Sequence, residues 1–249
     1  MKRRLGWLAV LTLATAGAGP LTDKSSIDDV LDAMQARGGD LKSFTADVAQ
    51  TMKDDVHGYD TTFRGKTTFQ ALPGGDARLH LVFDTKQKGK HAAVPSKKEY
   101  LLQDGWLTDR DYPTKNETRR QVVQPGQKLN LFQLGKGPFP LPIGQDRQQV
   151  HLQFDVARDP PDKDDPPHTI HLTLTPKPGT DLARQFQTID FWVDTDRQMP
   201  VRIETVDSRG VNDQITDLTN LKVNPPVNDG DFTLPPVTGW RTSEIPFGQ

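Results

Sequence analysis

The chain has 249 residues, a formal net charge of -2, no cysteine and 34% hydrophobic residues. The missing cysteine excludes disulfides, thiol catalysis and a lipid-attachment cysteine. The near-zero charge argues against nucleic acid as a partner, because phosphate binding needs a basic face. The length allows one β-rich domain, and the modest hydrophobic content suits a sheet buried on one face only.

Taken in order, Met1 to Arg4 is basic, Leu5 to Leu13 is apolar and Ala14 to Gly19 is small. This pattern predicts a signal peptide over 1–18, cleaved near Ala18, with an exported, soluble domain over 19–249. The apolar run is shorter than the ~20 residues of a spanning helix. Ser25 and Ser26 can cap a helix whose first turn holds Asp28 and Asp29, and Ile27, Val30, Leu31 and Met34 form its apolar stripe. Gly38 and Gly39 are expected to end it.

Strands follow, each with a two-residue apolar period. Phe44, Ala46 and Val48 share one face, then Phe63 to Phe69, then Leu79, Leu81 and Phe83. Residues 86–98 are basic and read as an exposed loop. Asp104-Gly105 between Tyr100–Gln103 and Trp106–Thr108 signals a tight hairpin. Thr118 to Val123 is a further strand.

Leu129, Phe132, Leu134, Phe139 and Leu141 break the alternation in a segment too rich in proline and glycine for a helix or an inner strand. Two readings stand: core beneath a long loop, or a movable cover over an apolar ligand site. As a cover, this segment is expected to face the concave side of the sheet and to be more mobile than it. Asp146 to Gln153 is expected to be a short helix, Phe154 to Ala157 a strand, and 159–167 a charged, proline-rich exposed loop.

The run from His168 to Val223 is the most regular. Ile170, Leu172 and Leu174 alternate with polar residues, as do Ile189, Phe191 and Val193, and then Val201 and Ile203. Turn residues separate these runs, which makes them an antiparallel meander with one apolar face. Ile215, Leu218, Leu221 and Val223 predict a long strand with a bulge, and Phe232 to Pro236 is expected to close the sheet.

No nucleophile elbow, P-loop, dinucleotide fingerprint or zinc-protease motif occurs, so an enzyme is not expected. His168 and His171, three apart on a strand, point to opposite faces and cannot share a metal. Asp162, Asp164 and Asp165 lack the glycine turn and bidentate glutamate of a calcium loop. No metal or cofactor is expected.

The order of elements resembles the periplasmic carriers of outer-membrane lipoproteins, the LolA-like family. The residues are Phe44 to Gln50 after the first helix, Asp104-Gly105-Trp106-Leu107 followed by Tyr112-Pro113, Leu174-Thr175-Pro176-Lys177, and Phe232 to Gly239. Where that family carries Arg-Pro, whose arginine helps latch a lid, this chain has Leu72-Pro73.

The resemblance implies a mainly β fold with flanking α: an incomplete, strongly curved antiparallel β-barrel covered by helices and an apolar loop. It implies a monomer in the periplasm that holds lipoprotein acyl chains. An inner-membrane ABC transporter complex and an outer-membrane acceptor would be its partners. The expected cavity residues are Phe44, Val48, Phe63, Leu81, Phe83 and Trp106, then Leu172, Leu174, Phe191 and Ile203. The cover would be Leu129, Phe132, Leu134, Phe139 and Leu141. The alternative is an envelope module that senses lipid or lipoprotein, or regulates a partner, on the same fold.

Overall fold

The computed structural model describes residues 20–54, 58–124 and 143–248. The signal peptide expected over 1–18 and the cover residues Leu129, Phe132, Leu134, Phe139 and Leu141 lie outside these residues.

The chain opens with α1 (Ile27–Asp40). Ser26 caps it through a capping box: its hydroxyl accepts from the Asp29 amide at 3.1 Å, and the Asp29 carboxylate accepts from the Ser26 amide at 2.8 Å. Gly38 and Gly39 fall inside the helix rather than ending it. The reason is a close approach: a Cβ on Gly38 would stand 2.2 Å from the Gly144 Cα.

Twelve strands then form a single sheet among the described residues. They are β1 (Ser43–Lys53), β2 (Thr61–Leu72), β3 (Asp76–Lys88), β4 (Val94–Gln103), β5 (Trp106–Asp111), β6 (Asn116–Gln121), β7 (Phe154–Arg158), β8 (Thr169–Pro176), β9 (Phe186–Asp194), β10 (Met199–Asp207), β11 (Asp213–Val223) and β12 (Arg241–Ile245). A short helix α2 (Arg147–Gln153), capped by Asp146, precedes β7. The order across the sheet is β12-β6-β5-β4-β3-β2-β1-β11-β10-β9-β8-β7.

Thus β2 to β6 and β7 to β11 are two meanders, and β1 joins them by pairing with β2 on one side and β11 on the other. The sheet is strongly curved and does not close, which is the incomplete barrel that the resemblance implied. The expected hairpin is present: Asp104 (φ 54°) and Gly105 (φ 76°) both sit left-handed, as a type I′ turn requires. The expected bulge in β11 is also present, at Asn220 (φ 51°).

Two segments differ from expectation. Residues 86–98 are mostly strand, because β3 runs to Lys88 and β4 starts at Val94, and Lys86 pairs with Val94. The lysine charge hides an ordinary packing role: Lys86 and Lys98 lie 5.4 and 5.5 Å from the Phe63 ring centre. Phe232 ends a 3-10 turn over Asp229–Phe232 instead of a strand. Pro235 and Pro236 have no amide to give a ladder, so the chain pairs only later, when β12 joins β6 in parallel.

Before pairing, this C-terminal segment crosses the outer face of β3 to β6 on buried polar anchors. The Arg78 guanidinium covers the Phe232 ring at 4.1 Å and donates to Asp229 and Gln70. His80 bridges the Asp231 carbonyl (2.6 Å) and Glu99 (3.0 Å), and Tyr112 donates to Glu99 at 2.5 Å. Arg110 joins Glu117 to the Pro235 carbonyl, each at 2.6 Å. Glu99 is only 3% exposed.

Burial alone would push the Glu99 carboxyl up. The hydrogen bonds from His80 and Tyr112 and the charge of Lys97 outweigh it together and hold the group at about 2, against an ordinary 4.5. A depressed folded value means the stabilisation is complete at neutral pH and is lost as pH falls from the unfolded value toward the folded one. Thermal melts of the wild type and of Glu99→Gln should therefore differ most above pH 5. The gap should shrink steadily between about pH 4.5 and about pH 2. A gap that is constant with pH would refute the assignment.

Candidate binding cavity

Strand pairing decides which side chains share the inner face. Directly opposed residues project to the same side. Leu172 opposes Phe191, Phe191 opposes Ile203 and Ile203 opposes Thr216. Leu218 opposes Val48, Val48 opposes Gly65 and Gly65 opposes Phe83. One buried face therefore runs unbroken from β8 to β3. Aromatic rings continue it: Phe44 stacks on Phe69 at 5.1 Å, Phe63 meets Phe83 at 5.7 Å, and Phe83 meets the edge of Tyr100 at 6.3 Å.

At the centre of this face lies a cavity between β1, β2, β3, β10 and β11. Its apolar lining is Phe44, Val48, Leu79, Leu81, Ile203 and Leu218, with Thr67, Thr205, Gln214 and Thr216 at its margins. It holds about 30 Å³. That is room for one or two waters and far too little for an acyl chain.

α1 packs on the same core. Val30, Leu31, Ala33 and Met34 belong to the same buried cluster as the inner-face residues. Ile143, 1% exposed, joins the cluster, and the Gly144 amide donates to the Met34 carbonyl at 3.1 Å. The outer side of α1 is tied by exposed ion pairs and by hydrogen bonds from Arg37 to the Arg197 carbonyl (2.8 Å) and from the Arg147 amide to Gln35 (3.3 Å). Arg147 reaches Asp28 and Asp32 at 3.3 and 3.0 Å, and His151 reaches Asp28 at 2.9 Å. Such pairs contribute ~1 kcal/mol or less each.

The inner face becomes polar toward β5. Lys98 pairs with Asp111 at 3.2 Å. Burial, followed by the charges of Asp109 and Asp111, pushes the Tyr100 hydroxyl up to about 12, so it stays a neutral donor. Burial also raises the Asp109 carboxyl, against the pull of Lys98.

Of the residues expected to form the cavity, Phe44, Val48, Leu81 and Ile203 line it. Phe63, Phe83, Leu172, Leu174 and Phe191 are buried in the continuous core around it. Trp106 does not join them. It shares a strand face with Thr108 and Arg110, and the Arg119 guanidinium lies 5.0 Å from its ring centre. Its neighbour Leu107 packs on the core instead. A hairpin of polar and apolar residues gives two equally plausible phases, and the larger side chain pointed to the wrong one.

Sequence reasoning misses the threonines Thr67, Thr205 and Thr216, which carry no apolar signal and enter the lining only because their strand neighbours are apolar. Leu79 sits on the phase that the alternation assigned to the buried face, and Leu218 lies on the bulged strand expected over Ile215 to Val223. The cover residues lie outside the described residues. The positions flanking them, Val122, Val123 and Ile143, pack on the inner-side cluster.

No family model matches the sequence, and no curated protein matches it. Among solved structures, the chain is similar to an uncharacterised conserved protein from Thermus thermophilus, at 11% identity and a TM-score of 0.48, covering 88% of this chain and 99% of that one. It is similar to the Pseudomonas aeruginosa MucA/MucB complex, at 15% identity and a TM-score of 0.44. The match covers 82% of this chain but spans only 60% of that one. A LolA-superfamily protein from Nitrosomonas europaea matches at 14% identity and a TM-score of 0.36, covering 82% of this chain and 97% of that one. None of these likenesses says what this chain binds.

The curvature behind the cavity depends on Gly65. β3 carries one extra residue opposite it, and a Cβ built on Gly65 would stand 1.7 Å from the Val82 carbonyl oxygen. Backbone, not a flexible side chain, blocks that space. Gly65→Ala should therefore cost about 1–3 kcal/mol or more in urea denaturation. A variant as stable as wild type would show that the two strands can separate at no cost.

Proposed function

We propose that this protein is a carrier of the cell envelope that shields lipoprotein acyl chains on the inner face of its sheet during transit through the periplasm. The observation that carries the reading is a continuous apolar inner face running from β8 to β3, with a small cavity among its side chains. A carrier needs such a non-directional apolar surface, and its site must open to load and release.

The sequence features agree with this role. A leader over 1–18 would export the chain, and the LolA-like motifs point to lipoprotein traffic. The partners would be a donor complex in the inner membrane, of the ABC transporter kind, and an acceptor at the outer membrane. The binding step needs no chemistry, since acyl burial is non-directional and contributes ~0.8 kcal/mol per methylene.

Mass spectrometry of the untagged protein, purified from periplasm without detergent, is the direct test. Co-purified acylated lipid or lipoprotein is the expected result. Absence of any acylated cargo, together with normal lipoprotein sorting in a deletion strain, would rule out the carrier. A sensor would then be indicated if Phe191→Asn left the strain's phenotype unchanged.

Opening can be tested separately. Gly38→Leu should push α1 off Gly144. The variant is expected to bind a fluorescent fatty acid faster than wild type, with an unchanged β-sheet circular dichroism signal. Slower binding would mean that α1 is part of the site and not its wall.

A further inference from the structure

The connection between β7 and β8 turns back onto the outer face of the sheet. The Asp159 amide donates to the His171 carbonyl at 3.1 Å, and Asp165 accepts from the Trp192 indole at 2.5 Å. Arg202 donates to the Asp164 carbonyl at 2.9 Å. Trp192 is 6% exposed and lies flat on the His171 ring, 4.0 Å between centres and 14° between planes. The imidazole is therefore held in one orientation by a side chain that is itself fixed.

Two carboxylates converge on this ring. Asp190 Oδ1 is 3.1 Å from one ring nitrogen, and Asp159 Oδ2 is 3.9 Å from the other. The Thr173 hydroxyl stands between them, 2.5 Å from Asp190 and 2.7 Å from Asp159. One ligand atom from each of Asp159, His171 and Asp190 lies within 4.8 Å of the others. Among the described residues, neither carboxylate has a lysine or arginine at ion-pair distance.

The charges do not balance. A threonine hydroxyl has one proton, so it can donate to only one of the two carboxylates, and the other faces its lone pairs. Like charges this close are mutually unfavourable. A protonated imidazole offsets one of them, whereas a divalent ion offsets both. We propose that Asp159, His171 and Asp190 bind a divalent first-row transition metal, zinc fitting them well, on the outer face of β8 and β9.

The ligand set selects the class. One imidazole with two carboxylates suits zinc and its neighbours, while magnesium and calcium prefer all-oxygen shells. Zinc–nitrogen and zinc–oxygen bonds of ~2.0–2.2 Å put ligands ~3.3–3.6 Å apart, against a present spread of up to 4.8 Å, so side-chain rotation must bring both carboxylates to one ring nitrogen. The Thr173 hydroxyl is placed to hydrogen-bond a ligating carboxylate. The role is to tie the 159–167 connection and the end of β7 to β8 and β9. The site is separate from the inner cavity, so it stands whether or not the protein carries lipid.

Isothermal titration of the untagged, EDTA-treated full chain with zinc chloride tests it. One saturable site and a rise in melting temperature with zinc are expected. His171→Gln, Asp190→Asn and Asp159→Asn should each weaken binding roughly tenfold or more. Asp159 follows β7 on a surface connection, so its variant should fold even if the strand variants do not. His151→Gln, which removes the other surface imidazole–carboxylate pair, should bind as wild type does, and excess magnesium should not compete. Absence of saturable binding overturns the proposal. So does unchanged affinity in the Asp159 variant, or loss of binding in the His151 variant.

Discussion

The structure depends on the pairing of β1 with β11. The two meanders are each made of local contacts, hairpin after hairpin, and each could form with short loops. What makes them one curved sheet is β1, whose residues from Phe44 to Lys53 pair with a strand about 170 positions later in the chain, from Val223 back to Asp213. That ladder places Val48 beside Leu218 and so brings the inner faces of the two halves together. The cavity lies across this seam, lined from β1, β2 and β3 on one side and from β10 and β11 on the other. The join is reinforced at its start, where the Asn224 side chain accepts from the amides of Lys42 and Ser43.

The outer face is not simply the wet side of a one-sided sheet. Over β3 to β6 it carries Arg78, Glu99 and Arg110, all buried, beneath a chain segment that runs from Asp229 to β12. Burying charged groups is costly unless each is paired and hydrogen-bonded. Here each one is: Arg78 with Gln70 and Asp229, Glu99 with His80 and Tyr112, Arg110 with Glu117 and a carbonyl. The gain is not raw stability but one defined path for the C-terminal segment, since a slipped register would leave a buried charge unpaired.

Most of the fold was legible because its signals are local. A two-residue period, a Ser-capped helix and an Asp-Gly turn each carry their meaning within a few residues, and all are found where the sequence placed them. The misreadings concern information held by distant partners. The lysines of 86–98 looked like solvent loop because the ring that Lys86 and Lys98 cover, Phe63, lies 23 and 35 positions earlier. Phe232 looked like a strand residue because the arginine that receives it is on β3. Trp106 had two possible phases, and only its pairing with Gln103 and Gln121 decides between them. The same limit hid the outer-face cluster: His171 was weighed against His168, its neighbour in sequence, whereas Asp159 and Asp190 meet it through pairing and a returning loop.

The small size of the cavity bears on how a carrier of this shape could work. Lifting α1 exposes Val30, Leu31 and Met34, each worth ~1.5–3 kcal/mol when buried. An acyl chain that takes their place returns ~0.8 kcal/mol per methylene, so roughly six to eleven methylenes match the loss. Loading is then close to an exchange of one apolar surface for another, with little net change in exposed hydrocarbon. A site with small net affinity is what transfer requires, because a cargo held by a deep free-energy well would not be handed on. The exposed pairs of Arg147 and His151 with α1 would add only a modest barrier to such an exchange.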